Sequence, residues 1–295
     1  MLQSTPIFDI CSLSDFRQDD ILVSRFAPYL EHHKNLYAAH RHTFFHVVFF
    51  TDGAGSHNID FDDFRVKPNQ IYFMIPGQVH SWAFEGFTDG YIINFSDSFF
   101  QSFLLNAAYL ENFTFFSGDV HDAVINLPGE VAGKIKGLFE DIIKEWESSP
   151  IQTSDLMRVL MLQLFILVSR VSAGNSNKGP ASYNQTLLKN FQKLVEIHYK
   201  KLKLPKDYAG LLYITPNHLN AVCKDLLGLQ AGEIIRNRVI LEAKRLLTNP
   251  KLTITEIAME LNFSDNSYFT KFFRKTEQLT PEEFRKNILK QNSHE

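Results

Sequence analysis

Cysteine is scarce in this chain: Cys11 and Cys223 are the only two, set far apart in the sequence. Neither a disulfide framework nor a cysteine-rich zinc site can be assembled from them, and a reducing cytoplasm is the expected compartment. Long apolar runs are missing too. The most apolar stretch, Leu156 to Val171, is interrupted by Arg158, Gln163 and Arg170 and is too short for a bilayer span, so no membrane partner is expected. MLQSTPIFDICSLSDF has no basic segment followed by an apolar one, which argues against export. GxSxG, a phosphate loop and a convincing set of paired carboxylates are also absent, removing the common hydrolase and nucleotide-dependent classes.

Net charge is small, −3, but unevenly spread: residues up to and including Gln185 carry 12 basic and 21 acidic side chains, against 18 and 12 in the remainder. An acidic half joined to a basic one suggests that only the C-terminal part approaches a polyanion. The length, with 44% hydrophobic residues, suits two cores.

From Phe44 to Phe95 short β-branched and aromatic runs alternate with turn residues, a strand pattern that predicts a small sandwich or barrel. FHVVFF, the turn Thr51 to Gly55, and the alternation of His57, Ile59 and Phe61 with Asn58 and Asp60 predict a hairpin. Phe44, Phe49, Phe61, Phe73, Trp82 and Tyr91 are candidates for an aromatic barrel interior. After Leu127-Pro128-Gly129 the period becomes helical, with Ile135, Leu138, Phe139, Ile142, Ile143 and Trp146 on one face. A second helix, from about Ser154 to Val171, is apolar nearly all round and must be covered on several sides. The pair is expected to form a hairpin that dimerises the chain, with Ile142 and Trp146 in the interface. SAGNSNKGPASYN, Ser172 to Asn184, has a linker composition.

The remaining chain is helical, and capping chemistry marks its boundaries. Thr215-Pro216 starts a helix that ends at Gly228; a long helix from about Ala231 to Leu247 stops at Asn249-Pro250. The plan then recurs: Thr253 caps Ile254 to Leu261, Asn262 makes the turn, and Ser264 is the expected cap of a helix reaching about Thr276. Two short helices joined by a tight turn are a helix-turn-helix. In each copy the second helix exposes polar residues at its N-terminal end: Asn217, His218 and Asn220, then Asp265, Asn266 and Ser267. Lys224, Lys271, Arg274 and Lys275 are placed to reach phosphates or guanine.

On these residues the chain resembles the AraC-type regulators. Leu204 to Lys286 carries the family's pattern in HLNAVCKDLLG, RVILEAKRLL, ITEIAMELNFSDNSYFTKFFRK and LTPEEFRK. The resemblance implies tandem helix-turn-helices held apart by the long helix, reading double-stranded DNA through Asn217, Asn220 and Ala221 in one copy and Asp265, Asn266, Ser267 and Lys271 in the other. Three positions depart from the pattern: Cys223 for a bulky aromatic, and Asn262 and Gln278 for glycines.

His40 to His80 resembles, more weakly, the cupin-like sensor that precedes such domains. His40, His42, His46 in the usual glutamate position, and His80 after Pro76-Gly77 echo cupin metal motifs, while Phe84 stands where a polar residue is usual. With Trp82 they are the candidate effector pocket, the imidazoles acting as structural or ligand-polarising groups, without metal or other cofactor. A metal-dependent cupin enzyme with an appended DNA-binding unit and a structural nucleoid protein are the alternatives. The expected architecture is α+β and multidomain: a cupin-like β-barrel or sandwich (1–126), a helical dimerisation hairpin (127–171), a linker (172–184) and an all-α tandem helix-turn-helix domain (185–295). The expected role is that of an effector-responsive transcription regulator and not an enzyme. Its expected partners are DNA, a small-molecule effector, RNA polymerase and a second copy of the chain.

Overall fold

A computed structural model of the chain describes residues 6–10, 20–101, 103–104, 109–148, 151–173 and 183–291. Cys11 and the central part of the expected linker lie outside them. The chain divides into two compact units, Pro6–Asn177 and Lys178–Glu295.

In the first unit the strands run in chain order as β1 (Ile7–Phe8), β2 (Ile21–Arg25), β3 (His40–His42), β4 (Phe45–Asp52), β5 (Gly55–Ile59), β6 (Asp62–Arg65), β7 (Gln70–Met74), β8 (Val79–Phe84), β9 (Asp89–Phe95) and β10 (Val124–Asn126). Helix α1 (Phe26–His32) follows β2, and the short α2 (Ser98–Gln101) and α3 (Val120–Ala123) follow β9. The strands form two sheets, ordered β1-β3-β8-β5-β6 and β10-β7-β4-β9-β2. Apart from the parallel β1–β3 pair, neighbours are antiparallel.

The apolar runs of the second sheet are continuous because both of its faces are covered. Val47, Phe49, Ile71, Phe73, Tyr91, Ile93 and Phe95 share one cluster with α4 (Gly129–Ser148) and α5 (Thr153–Ala173). The alternate residues Val48, Phe50, Tyr72, Met74 and Ile92 pack with Trp82 and Phe44 in a different cluster, as the two-residue strand period requires. Three of the rings expected inside the barrel, Phe49, Phe73 and Tyr91, therefore face the helices. Phe44 and Trp82 take the expected side.

The expected FHVVFF hairpin does not form. β4 pairs with β7 and β9, whereas β5 pairs with β6 and β8 in the other sheet. Gly53 and Gly55 carry the chain across with φ of +136° and +112°, and a Cβ on Gly55 would come within 2.2 Å of the Ala83 carbonyl oxygen. Only glycine tolerates that backbone and that approach together. The actual hairpin is β5–β6, turned at Asp60 and Phe61, whose φ values of 49° and 81° suit a primed two-residue turn. Phe61 thus lies in a turn instead of a strand interior.

The second unit consists of α6 (Tyr183–His198), α7 (Pro205–Leu211), α8 (Pro216–Leu227), α9 (Ala231–Leu247), α10 (Ile254–Glu260), α11 (Asn266–Glu277) and α12 (Pro281–Gln291). Ser172 and Ala173 end α5 while Tyr183 and Asn184 begin α6, so helix enters the expected linker from both sides. One core serves the whole unit. From α9, Ile235, Val239, Ile240, Ala243, Leu246 and Leu247 join Tyr208, Leu219 and Val222 of the first helix pair to Ile257, Phe269 and Phe273 of the second. Cys223 is fully buried in that cluster.

Candidate functional site

The two helix pairs of the second unit are built alike. Each turns through one non-glycine residue in the left-handed region, Tyr213 (φ 55°) and Asn262 (φ 56°). In each, the next amide reaches back into the first helix, Ile214 N–H to the Ala209 carbonyl at 3.0 Å and Phe263 N–H to that of Ala258 at 2.9 Å. Each second helix ends on a left-handed residue, Gly228 or Gln278, bonded to the carbonyl four residues earlier. Asn262 makes the turn as its tolerance of this backbone suggested; Tyr213, 96% exposed, was not anticipated. Thr253 and Glu256 form a reciprocal capping box at the start of α10.

The caps distinguish two kinds of candidate DNA contact. Thr215 accepts from the His218 amide at the start of α8. For α11 the cap is Asp265, which accepts from the Tyr268 amide at 2.7 Å, and not Ser264 as expected. Ser264 donates instead to the other Asp265 oxygen. A carboxylate satisfies helix amides and their dipole better than a hydroxyl does. Asn220 is half-buried, and its side-chain oxygen accepts from the Ala231 amide at 3.1 Å, tying α8 to the first turn of α9. Asn217, His218, Ala221 and Lys224 on α8, and Asn266, Ser267, Lys271, Arg274 and Lys275 on α11, are exposed. Each set follows the start of a second helix, the end that a helix-turn-helix presents to the major groove.

A partly buried salt-bridge group stiffens the frame behind these helices. Arg238 of α9 pairs with Glu196 of α6 at 2.6 Å and with Glu242 at 3.2 Å, its guanidinium lying 3.9 Å from the Tyr199 ring centroid. The planar fork suits two carboxylates and an aromatic face at once.

The first unit holds a different constellation. His40, His42, His46 and His80 come together as the sequence suggested, at 0–3% exposure, and Trp82 lies beside them. A fifth imidazole, His57, joins them. It shares a face of β5 with Ile59 and lies directly across from Trp82, so the β5–β8 register brings it to the cluster. His40 faces His80 across β3–β8, and His42 lies two residues on, on the same face. From the other sheet, His46 faces Asn94 across β4–β9.

The hydrogen bonds order most of these rings. His40 Nδ1–H donates to the Ala38 carbonyl at 2.8 Å and His46 Nδ1–H to Asn94 Oδ1 at 2.7 Å. His80 Nε2 shares a hydrogen bond with His42 Nε2 at 2.8 Å, and its Nδ1 another with His57 Nε2 at 3.0 Å. Nε2 of His40 and His46, Nδ1 of His42 and His57, and Nε1 of Trp82 have no partner among the described residues. Burial lowers all five imidazole pKa values, His40 to about 4 and His46 to about 3, with repulsion between the rings adding at His42, His57 and His80.

A cleft of about 470 Å³ lies elsewhere in this unit, lined by Glu31, Lys34, Tyr37, Phe84, Phe87 and Thr88. Its walls are aromatic, with one charge of each sign at hand, a combination suited to a small amphiphilic molecule.

Two measurements follow from this geometry. Asn220→Ala should loosen the α8–α9 junction and weaken binding to every DNA sequence alike, read by hydrogen exchange at the start of α9 and by a site-library assay. A loss of about 1–3 kcal/mol confined to one base position would instead make Asn220 a base reader. Because the folded imidazoles resist protonation, the unfolded chain takes up protons first once pH falls below about 6.5. Stability of the first unit should be complete above that pH and decline as pH falls towards 4. Denaturation midpoints that stay constant across this range would contradict the buried, neutral cluster.

Comparison with known proteins agrees with this two-part construction. Residues 208–287 match the model of a helix-turn-helix domain, and residues 24–161 that of an AraC-like ligand binding domain. The regulatory protein PocR of Salmonella typhimurium is 29% identical over 122 residues, 41% of this chain and 40% of PocR, so the chain spans about two fifths of that relative's length. The HTH-type transcriptional activator RhaR of an Enterobacter species is 20% identical over 85% of this chain and 88% of its own. A crystal structure of ToxT from Vibrio cholerae with bound unsaturated fatty acid aligns over 92% of this chain and 97% of that one, at 14% identity and a TM-score of 0.44. With a match to each of its two parts, the chain is similar to the AraC-type regulators.

Proposed function

We propose that the chain is a sequence-specific DNA-binding transcription regulator, not an enzyme, whose β-rich unit answers to a small-molecule effector. The single observation that carries this reading is the near-repeat of α7–α8 in α10–α11. Two second helices with matching turns, caps and exposed polar starts are fixed to one central helix. The basic balance of the sequence after Gln185 supplies the charge that phosphates require. In this reading Asn217, His218, Ala221, Asn266 and Ser267 face base edges, and Lys224, Lys271, Arg274 and Lys275 face phosphate or guanine. Asp265 and Asn220 hold the helices that present them. RNA polymerase is the further partner, and the cytoplasm the compartment. Among the described residues no helix is long and apolar enough to cross a membrane.

The proposed homodimer uses α5 and not the α4 residues first expected. Ile142 is fully buried against its own sheet and half-buried Trp146 packs on the same cluster. On α5, Leu156 and Val159 are 46% and 49% exposed. Val159, Leu162, Ile166 and Leu167 line a groove of about 400 Å³ flanked by Gln163 and Arg170. An apolar stripe with polar flanks on a long helix suits a second copy of the same helix.

Duplex binding by the full-length protein should fall steeply with salt, by about 10³-fold or more between roughly 50 and 200 mM if six or more phosphates are neutralised. Lys271→Ala or Arg274→Ala should weaken all sequences uniformly if the contact is to phosphate, and a salt-independent affinity would overturn the proposal. Val159→Asp should leave the fold intact, since this side chain is half exposed, while sedimentation shifts from dimer to monomer. A dimer that persists would exclude the α5 face.

A further inference from the structure

We propose that His40, His42 and His80 form a binding site for one divalent late-transition-metal ion of the zinc, nickel, cobalt or copper class, with His57 as the positioning residue that holds His80. The proposal stands apart from the regulatory reading, since metal binding is measured without DNA. It also departs from the sequence expectation that these imidazoles hold no metal.

Ligand geometry is the first argument. One nitrogen from each of the three rings lies within 4.8 Å of the others. Zinc–imidazole bonds of about 2.0–2.1 Å put neighbouring ligand nitrogens about 3.4 Å apart around a tetrahedral ion. Only small ring movements separate the two arrangements. His42 Nε2 and His80 Nε2, now 2.8 Å apart across one proton, need to spread by about half an ångström to reach that spacing.

The unpartnered nitrogens are the second argument. A buried polar atom without a partner costs about 1–3 kcal/mol, and Nε2 of His40, a ligand atom of the proposed site, is in that state. His40 has the arrangement of a ligand held ready: Nδ1–H is anchored on a backbone carbonyl and the Nε2 lone pair is left bare. His46 repeats it, with Nδ1–H on Asn94 and Nε2 bare, its ring stacked 5.0 Å from His42. It lies next to the three-histidine group without belonging to it. An outer hydrogen bond on the non-ligating nitrogen fixes tautomer and ring plane in metal sites, and for His80 that bond runs from Nδ1 to His57 Nε2.

The donor set decides the ion. Three imidazoles with no carboxylate in the group favour zinc, copper, nickel and cobalt over magnesium, calcium or manganese. The rings are 0–3% exposed, which suits a bare ion better than an organic effector.

The test uses untagged full-length protein, freed of metal with chelator and dialysed, then titrated separately with Zn²⁺, Ni²⁺, Cu²⁺ and Co²⁺ under equilibrium dialysis with elemental analysis. The expected result is one equivalent of at least one of these ions, a Co²⁺ form with ligand-field absorption of nitrogen coordination, and no retention of Mg²⁺. His80→Ala and His40→Ala should each lower affinity by about 100-fold or more, with circular dichroism checking the fold, whereas exposed His121→Ala should bind as the parent does. His57→Phe should shift the Co²⁺ spectrum and weaken binding about 10- to 100-fold, and His57→Gln, which keeps a hydrogen-bonding partner for His80, should restore both in part. Failure of the unaltered protein to retain any of the four ions overturns the site, and so does stoichiometric binding that survives in folded His80→Ala.

Discussion

The buried face of α9 is the constraint on which the DNA-facing half of the molecule depends. Neither short helix pair has apolar surface enough to stand alone; each completes its core on α9, Leu219 and Val222 from one direction, Ile257, Phe269 and Phe273 from the other. The separation of α8 from α11 is therefore set by one rigid element. Asn220 strengthens this coupling because it bonds the first amide of α9. Arg238, clasped by Glu196 and Glu242 and laid on Tyr199, fixes α6 to the same helix. Glu196 is exposed, so its ion pair contributes modestly, and the packing of the guanidinium on Tyr199 adds to it.

Much of this half was legible because its signals are local. Thr215-Pro216, Gly228, Thr253 with Glu256, and Asn262 each mark a boundary through their own chemistry, and the helices begin or end there. The exceptions were competitions between neighbours. Ser264 and Asp265 are both good caps, and the charged one won. Tyr213 has no turn propensity to announce it, and it adopts the left-handed backbone because the helices on either side are fixed elsewhere.

The β-rich half was less legible because its pairings are not local. Gly53-Ala54-Gly55 looks like a hairpin turn, yet the same glycines serve a crossing between sheets, and nothing within a few residues separates the two uses. A strand buried on both faces also loses its alternation: FHVVFF alone does not say that Phe49 faces the helices and Phe50 the other sheet. The histidines show both limits. His40, His42, His46 and His80 stood out by spacing, whereas His57 becomes their neighbour only through the β5–β8 register.

Cys223 has a consequence for how the molecule opens. Burial raises this thiol's pKa to about 11, so at neutral pH it is a protonated, sealed side chain and a poor nucleophile. An alkylating reagent reaches it only when the core between α8 and α9 parts. With Cys11 replaced, the rate at which this position takes up a label would clock the transient opening of the first helix pair, and comparing that rate with and without operator would report how much bound DNA slows it.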